Sequence, residues 1–143
     1  MKHILVVDDE ATICELVAET LRESGYSVDT APNGAAALES VRRRLPHAIV
    51  LDLMMPRLDA SGFVARMRMD ARYAAVPILI VTASYAAHET AERLGANACL
   101  TKPFELDELV AVVGKLASQP AQVGAVGTHA LPAALLPSVA AEG

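Results

Sequence analysis

Aromatic side chains are scarce, at 3% of 143 residues, with two Phe, three Tyr and no Trp. A core must therefore come from Ala, Val, Leu, Ile and Met, within an apolar share of 53%. Such a core suits stacked α/β layers. A surplus of cations is missing too. The formal net charge is -5, which argues against a nucleic-acid surface, because phosphate binding needs a concentrated basic face. The run Arg42-Arg43-Arg44 sits where a helix should end and complements the helix dipole there, so it reads as a solvated helix end. No apolar stretch approaches the roughly 20 residues that cross a bilayer, and no signal peptide precedes the first strand. A cytoplasmic protein without membrane contact is the expectation. Cysteine is limited to Cys14 and Cys99, which lack metal-ligand spacing and read as buried free thiols.

What is present is a repeat of short apolar runs separated by helical patterns, the signature of βα units and a parallel sheet. Strands are predicted at His3 to Val7, Ser27 to Thr30, Ala48 to Leu51, Ile78 to Val81 and Ala98 to Leu100. A first helix over Thr12 to Ser24 carries Ile13, Leu16, Val17 and Leu21 on one stripe and stops at Gly25. The second follows Asn33-Gly34, with Ala37, Leu38 and Val41 inward, and ends before Pro46. The third follows Asp59 and presents Phe63, Val64 and Met67; the fourth covers His88 to Leu94 before Gly95. The fifth starts near Glu105 and uses Leu106, Leu109, Val110, Val113 and Leu116. The expected fold is α/β, a doubly wound five-stranded parallel sheet with helices on both faces. Residues 1 to 118 form this domain. Residues 119 to 143, nearly uncharged and without periodicity, read as a flexible tail.

Parallel strands share one carboxyl edge, where such folds bind ligands. Strand one runs into Asp8-Asp9, strand three into Asp52, strand four into Thr82, and Lys102 follows strand five. Each residue also has a plain structural use. Asp8-Asp9-Glu10 can cap the first helix, Asp52 can be a turn acid, Thr82 can be an ordinary strand residue, and Lys102 a loop cation. Convergence of all four strand ends favours a site. Clustered carboxylates repel, and a divalent cation with hard oxygen ligands relieves the repulsion. Magnesium suits Asp8, Asp9 and Asp52. An aspartate can then accept a phosphoryl group while the Lys102 ammonium offsets its charge and Thr82 donates a hydroxyl. Glu10 reads as a first-turn helix acid and not as a third metal ligand.

The set VVDDE, LDLMMP, IVTA and LTKPF, in this order and spacing, resembles the receiver domain of two-component response regulators across Lys2 to Leu116. The resemblance implies a flavodoxin-like sheet in the order 2-1-3-4-5. It implies Asp52 as phospho-acceptor, Asp8 and Asp9 as the Mg2+ pair, and the Met54 backbone carbonyl as a further ligand. It gives Thr82 and Lys102 the phosphoryl contacts, and Pro103 a preceding cis peptide. Thr82, Cys99 and Pro103 fall at switch positions. Where the family often has a mobile aromatic, this chain has Cys99; after Asp59 it has Ala60-Ser61-Gly62 in place of Gly and a large apolar residue.

The implied function is a stand-alone phospho-switch, not an enzyme acting on other substrates, that assists its own phosphorylation and dephosphorylation. Its donor would be a sensor histidine kinase or phosphotransfer protein, its output a downstream protein, its state a monomer or weak dimer. A relay intermediate or phosphate sink fits the same residues. A flavodoxin-like electron carrier is opposed by the acids where a flavin phosphate loop would lie. A Mg2+-dependent phosphatase would want a second carboxylate at the position of Met54.

Overall fold

The computed structural model describes residues 1–53, 59–83 and 87–118. Five strands, β1 His3–Val7, β2 Ser27–Ala31, β3 Ala48–Asp52, β4 Ile78–Thr82 and β5 Ala98–Thr101, alternate with five helices. The helices are α1 Ala11–Glu23, α2 Gly34–Arg43, α3 Asp59–Met69, α4 Ala87–Leu94 and α5 Leu106–Ala117. The strands form one sheet in the order β2-β1-β3-β4-β5, and every pairing is parallel.

Strand side chains alternate between faces, and the buried residues divide accordingly. Leu5, Val7, Ile49, Leu51, Ile78, Ile80 and Cys99 pack with Ala37 and Val41 of α2, Phe63 and Met67 of α3, and Ala91 of α4. Ile4, Val6, Val50, Leu79, Val81 and Leu100 pack on the other face with Val17 and Leu21 of α1 and Leu109, Val113 and Leu116 of α5. Two cores share one sheet, each filled by aliphatic side chains with Phe63 the one fully buried aromatic among the described residues.

Element ends follow local chemistry. Asn33 Oδ1 accepts the Ala36 N–H at 2.8 Å and starts α2. Gly25 and Gly95, at φ +102° and +90°, follow α1 and α4 in the left-handed conformation that closes a helix. The Tyr26 and Ala96 N–H groups then return to Leu21 and Ala91 carbonyls.

Two sequence expectations are corrected. Four strands run one residue further than the apolar runs suggested: β3, β4 and β5 because the ladder continues through the polar Asp52, Thr82 and Thr101, and β2 through Ala31, which pairs with Val7. On α1, Leu16 is 50% exposed, and the buried stripe is Cys14, Val17, Ala18 and Leu21. Leu16 lies two residues, or about 200° of helix rotation, from both Cys14 and Ala18, so it cannot share their face. Both cysteines are buried free thiols as expected. Burial pushes each up to about 11. Among the described residues no helix is long and apolar enough to cross a membrane.

Candidate functional site

The site forms where β1, β3 and β5 end. β1 stops at Val7, and the Asp8 N–H donates to the Ala31 carbonyl at 3.1 Å. From that anchor the chain turns, so Asp8 and Asp9 need not obey strand alternation. Ligand oxygens of Asp8, Asp9 and Asp52 all lie within 4.8 Å of one another. Asp8 and Asp52 are buried, at 7% and 6% exposure, whereas Asp9 is exposed.

Lys102 comes from the opposite side. Its backbone N–H donates to the Thr82 carbonyl at 2.7 Å, and its Nζ lies 3.8 Å from Asp52 Oδ2. The Lys102-Pro103 peptide is cis, as the resemblance implied. Burial is the main reason the Asp8 carboxyl is pushed up to about 6; the Asp52 charge adds to it, while the Glu10 N–H and Lys102 oppose it. Two buried acids facing one ammonium leave excess negative charge, which hard divalent cations relieve.

Glu10 is corrected. It occupies the N-cap position of α1, its side chain caps nothing, and no acid lies in the first turn. Its N–H instead donates to Asp8 Oδ1 at 2.9 Å. Asp8 thus joins the local turn before α1 to the carboxylate cluster.

Thr82 is fully buried. Alternation along β4 carries it to the face of Ile78 and Ile80, the side of α3 and α4, while Asp52 continues the Ala48–Val50 face toward α1 and α5. Cys99 lies on the Thr82 side, opposite Ile80 in the ladder and packed in the cluster that holds Ala91. Phe104 packs with the α1/α5 cluster. It lines a small cavity of about 20 Å³ with Asp8, Ile13, Asp52 and Lys102. The Met54 carbonyl that the resemblance implies lies outside the described residues.

The family model for the response regulator receiver domain matches residues 4–114. The chain belongs to this family. This receiver domain is 42% identical over 116 residues to response regulator MprA of Mycobacterium leprae, covering 80% of this chain and 50% of that protein. It is 36% identical over 116 residues to response regulator Rre1 of Synechocystis, covering 79% and 50%. A third relative, the Synechocystis DNA-binding dual master transcriptional regulator RpaA, is 33% identical over 131 residues, covering 90% and 54%. The chain spans about half the length of these curated relatives.

Among solved structures, chemotaxis response regulator CheY4 of Vibrio cholerae aligns at TM-score 0.75 and 31% identity, covering 81% of this chain and 98% of that one. TrrA of Thermotoga maritima, solved in complex with Mg2+-BeF, aligns at TM-score 0.73 and 35% identity, covering 81% and 99%. Membership of the receiver family supports a phospho-accepting signalling switch, and the 2-1-3-4-5 sheet order is the one the resemblance implied.

Proposed function

We propose that Asp52 accepts a phosphoryl group from the phosphohistidine of a sensor histidine kinase or phosphotransfer protein, in a Mg2+-dependent reaction read out through protein contacts. The observation that carries this is the 3.8 Å approach of Lys102 to Asp52 beside two further acids. An Asp52 carboxylate oxygen attacks phosphorus, the phosphorus–nitrogen bond breaks, and its electron pair returns to the donor imidazole. Lys102 keeps a fixed positive charge beside the accepting oxygen. Asp8, Asp9 and Asp52 have the oxygen chemistry to hold Mg2+, with the Met54 carbonyl completing the set by resemblance. When bound, the ion supplies charge neutralisation at the transferred group. The chain thus promotes phosphorylation and dephosphorylation of its own side chain and turns over no external substrate.

Readout starts at Thr82. Its place across the sheet from Asp52 means that a hydroxyl drawn toward a phosphoryl oxygen is felt on the Ile80, Cys99 and Ala91 side, beneath α4. Acetyl phosphate with Mg2+, followed by intact-mass measurement, tests the reading. One phosphoryl adduct is expected, with none when EDTA replaces Mg2+; equal labelling in EDTA contradicts the metal dependence.

A further inference from the structure

In a sheet whose strands all run one way, the helices return in the opposite direction, so helix C-termini collect at the edge far from Asp52. There α2, α3 and the turn after α3 enclose an open cleft of about 490 Å³. Leu38, Met69 and Tyr73 give it an apolar lining, while Arg42, Arg66 and Arg72 supply cations. Met69 is 84% exposed and Tyr73 only 9%. Arg72 is held in place: it donates to both carboxylate oxygens of Asp70, at 3.1 and 2.8 Å, and its guanidinium lies 4.8 Å from the centre of the Tyr73 ring. Asp70 is the one acid lining the cleft.

Cations at a helix end ordinarily serve the dipole and the last carbonyls. Arg68 does this kind of work, donating to the Gly95, Ala74 and Val76 carbonyls. Arg42 and Arg66 do not. Among the described residues neither makes a close hydrogen bond or ion pair; Arg42 acts on the Asp70 carboxylate only at longer range, and Arg66 lines the cleft beside it. On a chain of net charge -5, three arginines against the single Asp70 carboxylate give this cleft a local field opposite in sign to the whole.

We propose that this cleft docks an acidic protein segment bearing an apolar anchor side chain, with Arg42, Arg66 and Arg72 meeting its carboxylates and Leu38 and Met69 its anchor. Nucleic acid fits less well. Tyr73 is buried beneath Arg72 and offers no ring for base stacking. Because the cleft lies at the edge away from Asp52, docking leaves the phosphorylation site accessible.

The test is an amide chemical-shift titration of the full 15N-labelled chain. Its probes are a short synthetic peptide in which glutamates flank a Leu-Phe pair, the counterpart with lysines for glutamates, and a short DNA duplex. The acidic peptide is expected to shift amides at the end of α2 and across 66–73, more weakly as salt rises. Kd should rise about tenfold in Arg42→Gln/Arg66→Gln and in Met69→Ser. Shifts centred elsewhere, no shifts at millimolar peptide, an unchanged Kd in both variants, or preference for the lysine peptide or the duplex would each overturn the proposal.

Discussion

Cys99 and His3 are both fully enclosed side chains whose neighbours dictate what a change there does. Cys99 is 0% exposed and packs under α4 in the cluster of Ile80 and Ala91, so a ring introduced there has no vacant space to enter. Cys99→Tyr is expected to lower stability by about 1–3 kcal/mol through overpacking, with partner affinity altered more than the rate of phosphoryl uptake. Urea melts measure the stability and an acetyl phosphate time course the uptake rate; an unchanged melt would show that the site tolerates a ring. His3, 1% exposed, places Nδ1 3.1 Å from Ser27 Oγ and Nε2 3.1 Å from Asp29 Oδ2, the latter without hydrogen-bond alignment. Burial lowers its pKa below the usual imidazole value, Arg44 adds to this, and Asp29 opposes it. The unfolded chain therefore takes up a proton near pH 6.5 that the folded His3 resists. Stability from this residue is complete above that pH and declines as pH falls below it. Denaturation midpoints for wild type and His3→Gln between pH 7.5 and about pH 5 should show the smaller decline in the variant; parallel curves would contradict the assignment.

Among the elements, α3 and α4 are joined by one side chain. Arg68 donates to the Gly95, Ala74 and Val76 carbonyls and to Asn97 Oδ1, all within 3.1 Å. Asn97 Oδ1 in turn accepts the Ile78 N–H at 2.9 Å. One guanidinium thus ties the end of α3 to the turn after it, the end of α4 and the start of β4. Arg68→Met should cost about 1–3 kcal/mol, because the partly buried Val76 carbonyl and Asn97 Oδ1 lose their donor while the exposed Gly95 and Ala74 carbonyls can turn to water. Arg68→Lys should recover little, since an ammonium cannot span this fork. Full rescue by lysine in urea melts would show that charge, and not geometry, matters. This clamp was not legible in the sequence. A basic residue in the last turn of a helix looks the same whether it is solvated or buried, and the partner oxygens lie up to 29 residues away. The elements themselves were legible, because apolar periodicity reports burial directly. The missed final strand residues, such as Asp52 and Thr82, are polar positions where pairing outlasts burial of apolar side chains. Leu16 misled for the converse reason: apolar character alone does not fix a face when Cys14 and Ala18 already define it.

For the molecule as a whole, the strand-end motifs carried the site because a parallel sheet turns distant sequence positions into neighbours. Asp8, Asp9, Asp52 and Lys102 met as expected. What the motifs left out was that Asp8 also holds the Glu10 N–H, and that Phe104 closes the cavity beneath the acids. The acids are held close together before any cation arrives, so metal binding should stabilise the whole fold by mass action. Mg2+ should raise the thermal midpoint of wild type by a few degrees at saturation and that of Asp8→Asn much less. Equal shifts in both would place the cation elsewhere.

The central claim is that the phosphoryl group resides on Asp52, not on the adjoining acids. Borohydride reduction of the chain after acetyl phosphate treatment converts an acyl phosphate to homoserine, and peptide sequencing locates it. Homoserine at position 52 is the predicted result. Homoserine at position 8 or 9, with Asp52 intact, would contradict the account.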